Sequence, residues 1–192
     1  TLRLADIVVI NKIDSAAPEG IQIVRDNIAA INPKAVVIDG ASPLGVDKPE
    51  LIRGKRVLVV EDGPTLTHGH MKIGAGTVAA KKYGAAELVD PRPFVVGRLA
   101  ETFSIYPNIG TLLPAMGYGQ QQIADLEATI AKTDCEAVVI ATPIDLQRIV
   151  KIDKPTVKVS YELQEIGTPN FCGLICDFLK KKKLIKSDCG CK

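Results

Sequence analysis

Val8-Val9-Ile10-Asn11-Lys12-Ile13-Asp14 is an apolar run that leads directly into the tetrapeptide Asn-Lys-x-Asp. The apolar residues from Leu4 to Ile10 predict a buried strand. Pro18 then begins a segment, ending near Ile31, in which branched aliphatic residues recur every three or four positions, as on one face of a helix. A second apolar run, residues 35–39, follows as a second strand. This strand–helix–strand order predicts an α/β fold.

The same alternation continues through the rest of the chain. Strands are predicted at residues 56–61, 87–90, 136–141 and 156–161, and helices at residues 76–83, 95–103, 121–132, 143–150 and 170–184. Such alternation favours a mostly parallel sheet flanked by helices. Residues 43–54 contain two prolines and two glycines and are interpreted as a linker. We therefore predict two domains, at residues 1–45 and 46–192.

Composition narrows the class of protein. Hydrophobic residues make up 46% of the 192 residues and charged residues 24%, which is typical of a globular protein. A net charge of +2 does not favour nucleic-acid or membrane binding. No apolar run approaches the ~18 residues of a membrane-spanning helix, and no signal peptide is visible. The sequence therefore predicts a cytoplasmic protein with reduced thiols.

Four cysteines lie near the C-terminus, at Cys172, Cys176, Cys189 and Cys191. A zinc site is one interpretation, although the spacing does not match paired Cys-x-x-Cys ligands. The alternative is two cysteines on one helix face and a frayed tail.

The tetrapeptide at residues 11–14 is similar to the guanine-reading motif of P-loop GTPases. In that motif the carboxylate of Asp14 would accept from the guanine ring, Lys12 would cover its face, and Asn11 would brace neighbouring loops. The alternative is a polar turn that closes a strand. No Gly-x-x-x-x-Gly-Lys-Ser/Thr phosphate loop occurs in the chain. We therefore expect a C-terminal part of a longer P-loop-NTPase-like, three-layer protein, inactive without its upstream domains.

The segment 61–76 contains the densest set of reactive side chains. Glu61 and Asp62 are predicted to hold Mg²⁺ at the end of a strand. Predicted substrate contacts are Thr65, Thr67 and Gly69. Both histidines of the chain, His68 and His70, lie here, and His68 is the favoured acid–base group. The alternative is a surface loop with helix-capping residues.

Two further turns carry polar groups. Arg92 lies between two prolines and suits bidentate phosphate binding, although a structural Arg–Asp pair is an alternative. Thr142 and Asp145 follow another strand, where they would cap a helix or contact substrate. Because ligands bind at the carboxyl ends of parallel strands, all these segments are expected to converge on one sheet edge.

Several longer motifs together resemble one family. They are residues 59–69, 74–76, 89–93, 113–118 and 142–146. The chain resembles cyclic 2,3-diphosphoglycerate synthetase and related predicted GTPases. This resemblance implies a nucleotide-driven ligase that closes a phosphoanhydride within a small phosphorylated metabolite, with Mg²⁺, His68, Lys72 and Arg92 at its centre. His70 departs from the glycine expected there.

The resemblance leaves alternatives open. It implies ATP, whereas Asn-Lys-x-Asp indicates GTP, so ATP or GTP is the predicted cofactor. A GTPase switch or a metallochaperone-like GTP-binding protein is the alternative function. The upstream domains of the same protein are the expected partners, and a homo-oligomer is compatible with this sequence.

Overall fold

The structure is a computed structural model that describes residues 1–63 and 72–185. The strands are β1 Ile7–Asn11, β2 Val36–Ala41, β3 Leu44–Val46, β4 Arg56–Asp62, β5 Glu87–Leu88, β6 Leu113–Ala115, β7 Ala137–Ala141, β8 Thr156–Tyr161 and β9 Gln164–Ile166. The helices are α1 Pro18–Ile31, α2 Ala75–Lys82, α3 Arg98–Ile105, α4 Gln120–Lys132 and α5 Phe171–Lys181. Short 3₁₀ helices lie at Leu2–Leu4, Pro49–Leu51, Arg92–Phe94 and Leu146–Arg148.

The chain divides into two compact units. Unit 1 is Thr1–Pro43 together with the described part of Tyr161–Lys192, and unit 2 is Leu44–Ser160. Unit 2 therefore lies, in sequence, between two segments of unit 1. The predicted domains, residues 1–45 and 46–192, remain a prediction, because compactness alone does not demonstrate independent folding.

Unit 2 is built on a sheet with the strand order β3-β8-β7-β4-β5, and β6 also pairs with β4. β4 runs parallel to β5, β6 and β7, and β7 runs parallel to β8. Val57, Leu58, Val59 and Val60 of β4 are fully buried. A strand buried on both faces reads as a continuous apolar run, which is how this one reads in the sequence.

Helix α2 packs directly on this sheet at Gly76. A β-carbon at Gly76 would lie 2.7 Å from Cγ1 of Val59 on β4 and 2.9 Å from Cβ of Ala141 on β7. Only a residue without a side chain therefore fits between the helix and the two strands.

Unit 1 has a separate sheet with the strand order β1-β2-β9. β1 and β2 are parallel, with Ile7 opposite Val36, whereas β9 is antiparallel to β2. The α/β class is confirmed. The antiparallel strand makes the arrangement mixed, so a mostly parallel sheet and the P-loop-NTPase layout remain predictions.

The segment interpreted as a linker, residues 43–54, contains β3 and a 3₁₀ helix, and β6 lies at Leu113–Ala115, where no strand was predicted. β9 was also not predicted. Each of these strands has three residues, which is too short for the alternation of side chains to be read from the sequence.

The apolar stripe predicted for α1 is only partly covered. Ile28 is buried, whereas Val24 and Ile31 are 44% and 41% exposed. The helix begins at Pro18, as predicted, because proline is tolerated at the first helical position. Its bounds therefore follow from the sequence, but its burial does not.

No helix in the part of the chain that the structure describes is long and apolar enough to cross a membrane.

A buried carboxylate joins α4 to the start of α3. Asp125 of α4 is 4% exposed, and its carboxylate accepts from the backbone N–H of Arg98 (3.1 Å) and from Nε2 of Gln121 (2.9 Å). Gly97 precedes α3 with φ +59°, and a β-carbon there would overlap the Asp125 carboxylate. Gly97 is thus required both by the backbone conformation and by the close approach of Asp125.

We expect Gly97→Ala to lower the free energy of unfolding by about 1–3 kcal/mol, because it combines a left-handed backbone with a steric overlap. Chemical denaturation measures this loss. Gly20→Ala in α1 is the control, since a β-carbon at Gly20 meets nothing within 4 Å and alanine favours helix. An unfolding free energy equal to that of the wild type in Gly97→Ala would contradict the assigned role of Asp125.

Candidate active site

Polar side chains collect at the carboxyl ends of β4, β6 and β7 in unit 2. Asp62 lies opposite Ala115 of β6, and Glu61 lies opposite Ala141 of β7. Asn11 is the last residue of β1, and Lys12 to Asp14 follow it; β1 belongs to the other sheet. The predicted convergence of all these segments on one sheet edge is therefore wrong. The carboxyl ends of β4, β6 and β7 remain the edge where an α/β sheet most often binds ligands.

Glu61 of β4 places its carboxylate at the N-terminus of α2. Its side chain is 3% exposed, and Oε1 accepts from the backbone N–H (2.7 Å) and the hydroxyl (2.9 Å) of Thr77. The backbone N–H groups of Gly74 and Gly76 also donate to this carboxylate. The donors left unpaired in the first turn of the helix are thus satisfied by a strand residue.

Burial raises the pKa of Glu61, and the hydrogen bonds from Thr77, Gly74 and Gly76 oppose that rise. Because its carboxylate accepts hydrogen bonds from the start of α2, Glu61 has a structural role. This role matches the alternative interpretation from the sequence, in which this segment supplies helix-capping residues. A metal-binding role for Glu61 remains a prediction.

Asp62, the other predicted metal ligand, is half-buried at the end of β4. Burial raises the pKa of Tyr118, and the negative charge of Asp62 adds a smaller rise. Gly63 follows, and a β-carbon there would lie 2.5 Å from Sδ of Met116. The carboxyl ends of β4 and β6 are thus in close contact.

Arg92 is held by three partners. Its guanidinium donates to Asp90 Oδ2 (2.8 Å) and to the carbonyl of Ile109, and it lies 5.0 Å from the centre of the Phe103 ring. Asp90 Oδ1 also accepts from the Arg92 backbone N–H (3.0 Å). This arrangement matches the structural Arg–Asp pair that the sequence left as an alternative. A catalytic role for Arg92 remains a prediction.

The turn after β7 differs from the predicted helix start. The Thr142 hydroxyl donates to the carbonyl of Ile144 (2.8 Å), and the helix is a 3₁₀ turn at Leu146–Arg148 preceded by Asp145. Asp145 lies 3.3 Å from Arg148 and 3.9 Å from Lys158. Thr142 is thus not the capping residue, because Pro143 and Ile144 lie outside the helix.

In unit 1, the Asn-Lys-x-Asp segment is tied to the end of β2. Asn11 Oδ1 accepts from the hydroxyl of Ser42 and from the backbone N–H of Lys12, both at 2.8 Å. Asp14 Oδ1 accepts from the Ser42 backbone N–H at 3.0 Å. Lys12 has φ +62°, an uncommon conformation for a residue other than glycine. Asn11 braces a neighbouring loop, as expected, and Lys12 and Asp14 are exposed.

Several predicted site residues lie outside the described residues. They are Thr65, Thr67, His68, Gly69 and His70. Lys72 is exposed, and its carbonyl accepts from the Gly110 backbone N–H (2.9 Å). The sequence predictions for these side chains therefore stay predictions.

The structure describes two of the four cysteines near the C-terminus, Cys172 and Cys176. Cys176 is buried in α5, and Cys172 and Cys176 are each disulfide-bonded, which differs from the reduced thiols predicted. Cys189 and Cys191 lie outside the described residues. Within residues 1–63 and 72–185, no group of three or more His, Cys, Asp or Glu side chains could hold a metal ion.

The sequence did not indicate a cavity of about 210 Å³ in unit 2. It is lined by residues of α3 and α4 and by the segment that follows β6. Four lining residues, Pro114 to Gly117, belong to a motif noted in the sequence, but nothing there indicated that α3 would face it. The cavity adjoins the carboxyl end of β6, which is the expected place for a ligand.

We expect Glu61→Gln to lower the free energy of unfolding by about 1–3 kcal/mol, because an amide nitrogen would face backbone donors of α2. Chemical denaturation measures this loss, and Glu50→Gln, at an exposed position, is the matched control.

The loss should also depend on pH. The pKa of Glu61 is raised above its ordinary value of 4.5, so its stabilising contribution is complete below that pH and is lost as the pH rises through the folded-state pKa. We expect the difference in unfolding free energy between wild type and Glu61→Gln to shrink as the pH rises above about 4.5. A difference that grows with pH would show that the hydrogen bonds outweigh burial.

No family model matches the chain. Arginine synthetase ArcE of Thermococcus kodakarensis is 55% identical to it over 184 residues, which is 96% of this chain and 41% of that protein. The chain thus spans less than half the length of this relative.

This similarity corrects the earlier interpretation. The resemblance to cyclic 2,3-diphosphoglycerate synthetase is wrong, and so is the predicted phosphoanhydride-forming reaction. The relative that is 55% identical is named as an arginine synthetase, which is a different function. The alternative of a GTPase switch or metallochaperone is not supported either. Motifs at strand ends recur among proteins with different chemistry, so they did not determine the reaction.

Proposed function

We propose that the chain is part of a ligase-like enzyme that forms arginine. The observation that carries the proposal is the 55% identity to an arginine synthetase across 96% of the chain. Identity of this extent covers both units, so the proposal assigns both of them to the same enzyme. Because the chain spans 41% of that relative, the reaction is proposed for the whole enzyme and not for these residues alone.

We extend the proposal to a nucleoside triphosphate and Mg²⁺. Ligases drive the formation of a carbon–nitrogen bond by cleaving a nucleoside triphosphate, and phosphate oxygens with one or two carboxylates are the usual ligands of Mg²⁺. Asp62, at the carboxyl end of β4, is a suitable carboxylate. ATP and GTP are both compatible with this proposal.

The nucleotide base is proposed to bind near Asn11 to Asp14. The support is that this loop is held in place while its polar groups are accessible. Asn11 and Asp14 both accept hydrogen bonds from Ser42, and Lys12 and Asp14 are exposed. A carboxylate accepts from the exocyclic and ring N–H groups of a base.

The first test replaces the matching 184 residues of the T. kodakarensis enzyme with this chain. We expect the chimera to form arginine, from the precursors used by the parent, within about tenfold of the parental rate, or ~1.4 kcal/mol in the barrier. Mass spectrometry of the product measures the rate. The parent enzyme lacking this region is the control. A chimera with a native circular dichroism spectrum and no arginine formation would overturn the proposal.

The second test concerns the base. In the chimera, Asp14→Asn keeps an oxygen for the Ser42 backbone N–H but removes the charge, so we expect nucleotide affinity to fall about tenfold. Equilibrium binding of ATP and of GTP measures the effect. Asp26→Asn, on the exposed surface of α1, is the matched control. Equal affinities in the two variants would remove Asp14 from the nucleotide site.

A further inference from the structure

The cavity in unit 2 combines a charged rim with an apolar wall. Arg98 and Glu101 lie on its α3 side, and Leu99, Ile105 and Met116 contribute apolar surface. Its volume of about 210 Å³ exceeds more than tenfold the ~15 Å³ that one water molecule requires. The cavity is therefore large enough for a small organic molecule.

The two charges on the rim are spaced as neighbours. Arg98 and Glu101 are three positions apart on α3, so their β-carbons are about 5–6 Å apart on one helix face. In the described parts of the chain, neither side chain is joined to another by an ion pair within 4 Å, and both residues are exposed. Their charges are thus available to a ligand.

The start of α3 is held in position. Asp125, also a lining residue, accepts from the Arg98 backbone N–H, and Gly97 allows this approach. Because Asp125 is buried and belongs to α4, the first turn of α3 is fixed relative to the opposite wall of the cavity. A site formed by fixed helices loses little entropy when it binds a ligand.

We propose that this cavity binds the α-amino acid of the reaction. Arg98 would hold the α-carboxylate through its planar guanidinium, and Glu101 would hold the adjacent α-ammonium group. The aliphatic part of the side chain would lie against Leu99, Ile105 and Met116. This inference rests on the proposed function for the choice of ligand, but its evidence is the placement of opposite charges beside an apolar wall.

Binding of L-arginine to the 192-residue chain, measured by isothermal titration calorimetry, tests the site. We expect Arg98→Gln to weaken binding about tenfold, and Arg53→Gln, an exposed arginine of the same unit outside the cavity, to leave it unchanged. Agmatine, which lacks the α-carboxylate, should bind the wild type more weakly than L-arginine and should be insensitive to Arg98→Gln. No binding of L-arginine, or equal binding to the two variants, would overturn the inference.

The second charge has its own comparison. Glu101→Gln should reduce the preference for L-arginine over Nα-acetylarginine, whose α-nitrogen is uncharged, and Glu50→Gln should not. An unchanged preference in Glu101→Gln would overturn the role of Glu101. If binding fails while the chimera forms arginine, only the cavity assignment falls. If binding follows these expectations while the chimera is inactive, the proposed reaction falls and the site remains.

Discussion

Capping of α2 by the buried Glu61 carboxylate is the constraint on which unit 2 depends. β4 pairs with three other strands, and Glu61 near its carboxyl end connects this sheet to the helix that follows. The carboxylate accepts from Thr77 and from the glycine backbone before it, while Gly76 lets α2 approach the sheet closely. A charged group taken out of water is costly unless it is fully hydrogen-bonded. Strand and helix are therefore bound at one point, next to the edge where polar residues collect.

A second buried carboxylate repeats this device. Asp125 caps α3 as Glu61 caps α2, and in both cases a glycine makes room for the oxygen atoms. The start of α2 is bound to the carboxyl end of β4, and the start of α3 lines the same cavity as the end of β6. Acidic residues in this protein thus do two kinds of work. Buried ones position helices, whereas Asp62 is only half-buried at the end of β4.

Long, periodic segments of this chain can be predicted from its sequence. β4 is a run of apolar residues and α1 begins at a proline, so both were predicted within a residue or two. Residues whose roles depend on tertiary contacts could not be predicted in this way. Glu61 and Arg92 carry reactive groups, but their hydrogen bonds to distant residues give them structural partners that no local pattern reveals. The cavity was missed for the same reason, since it exists only where α3, α4 and the end of β6 meet.

The order of the two units along the chain has a consequence for biosynthesis. β2 pairs with β1 on one side and with β9 on the other, and unit 2 is encoded between them. A ribosome releases β1 and β2 first, then all of unit 2, and only then Gln164–Ile166. Domains fold as they emerge during translation. A nascent chain from which β8 has emerged but β9 has not would therefore carry all the strands of the unit 2 sheet, while the sheet of unit 1 still lacks its last strand.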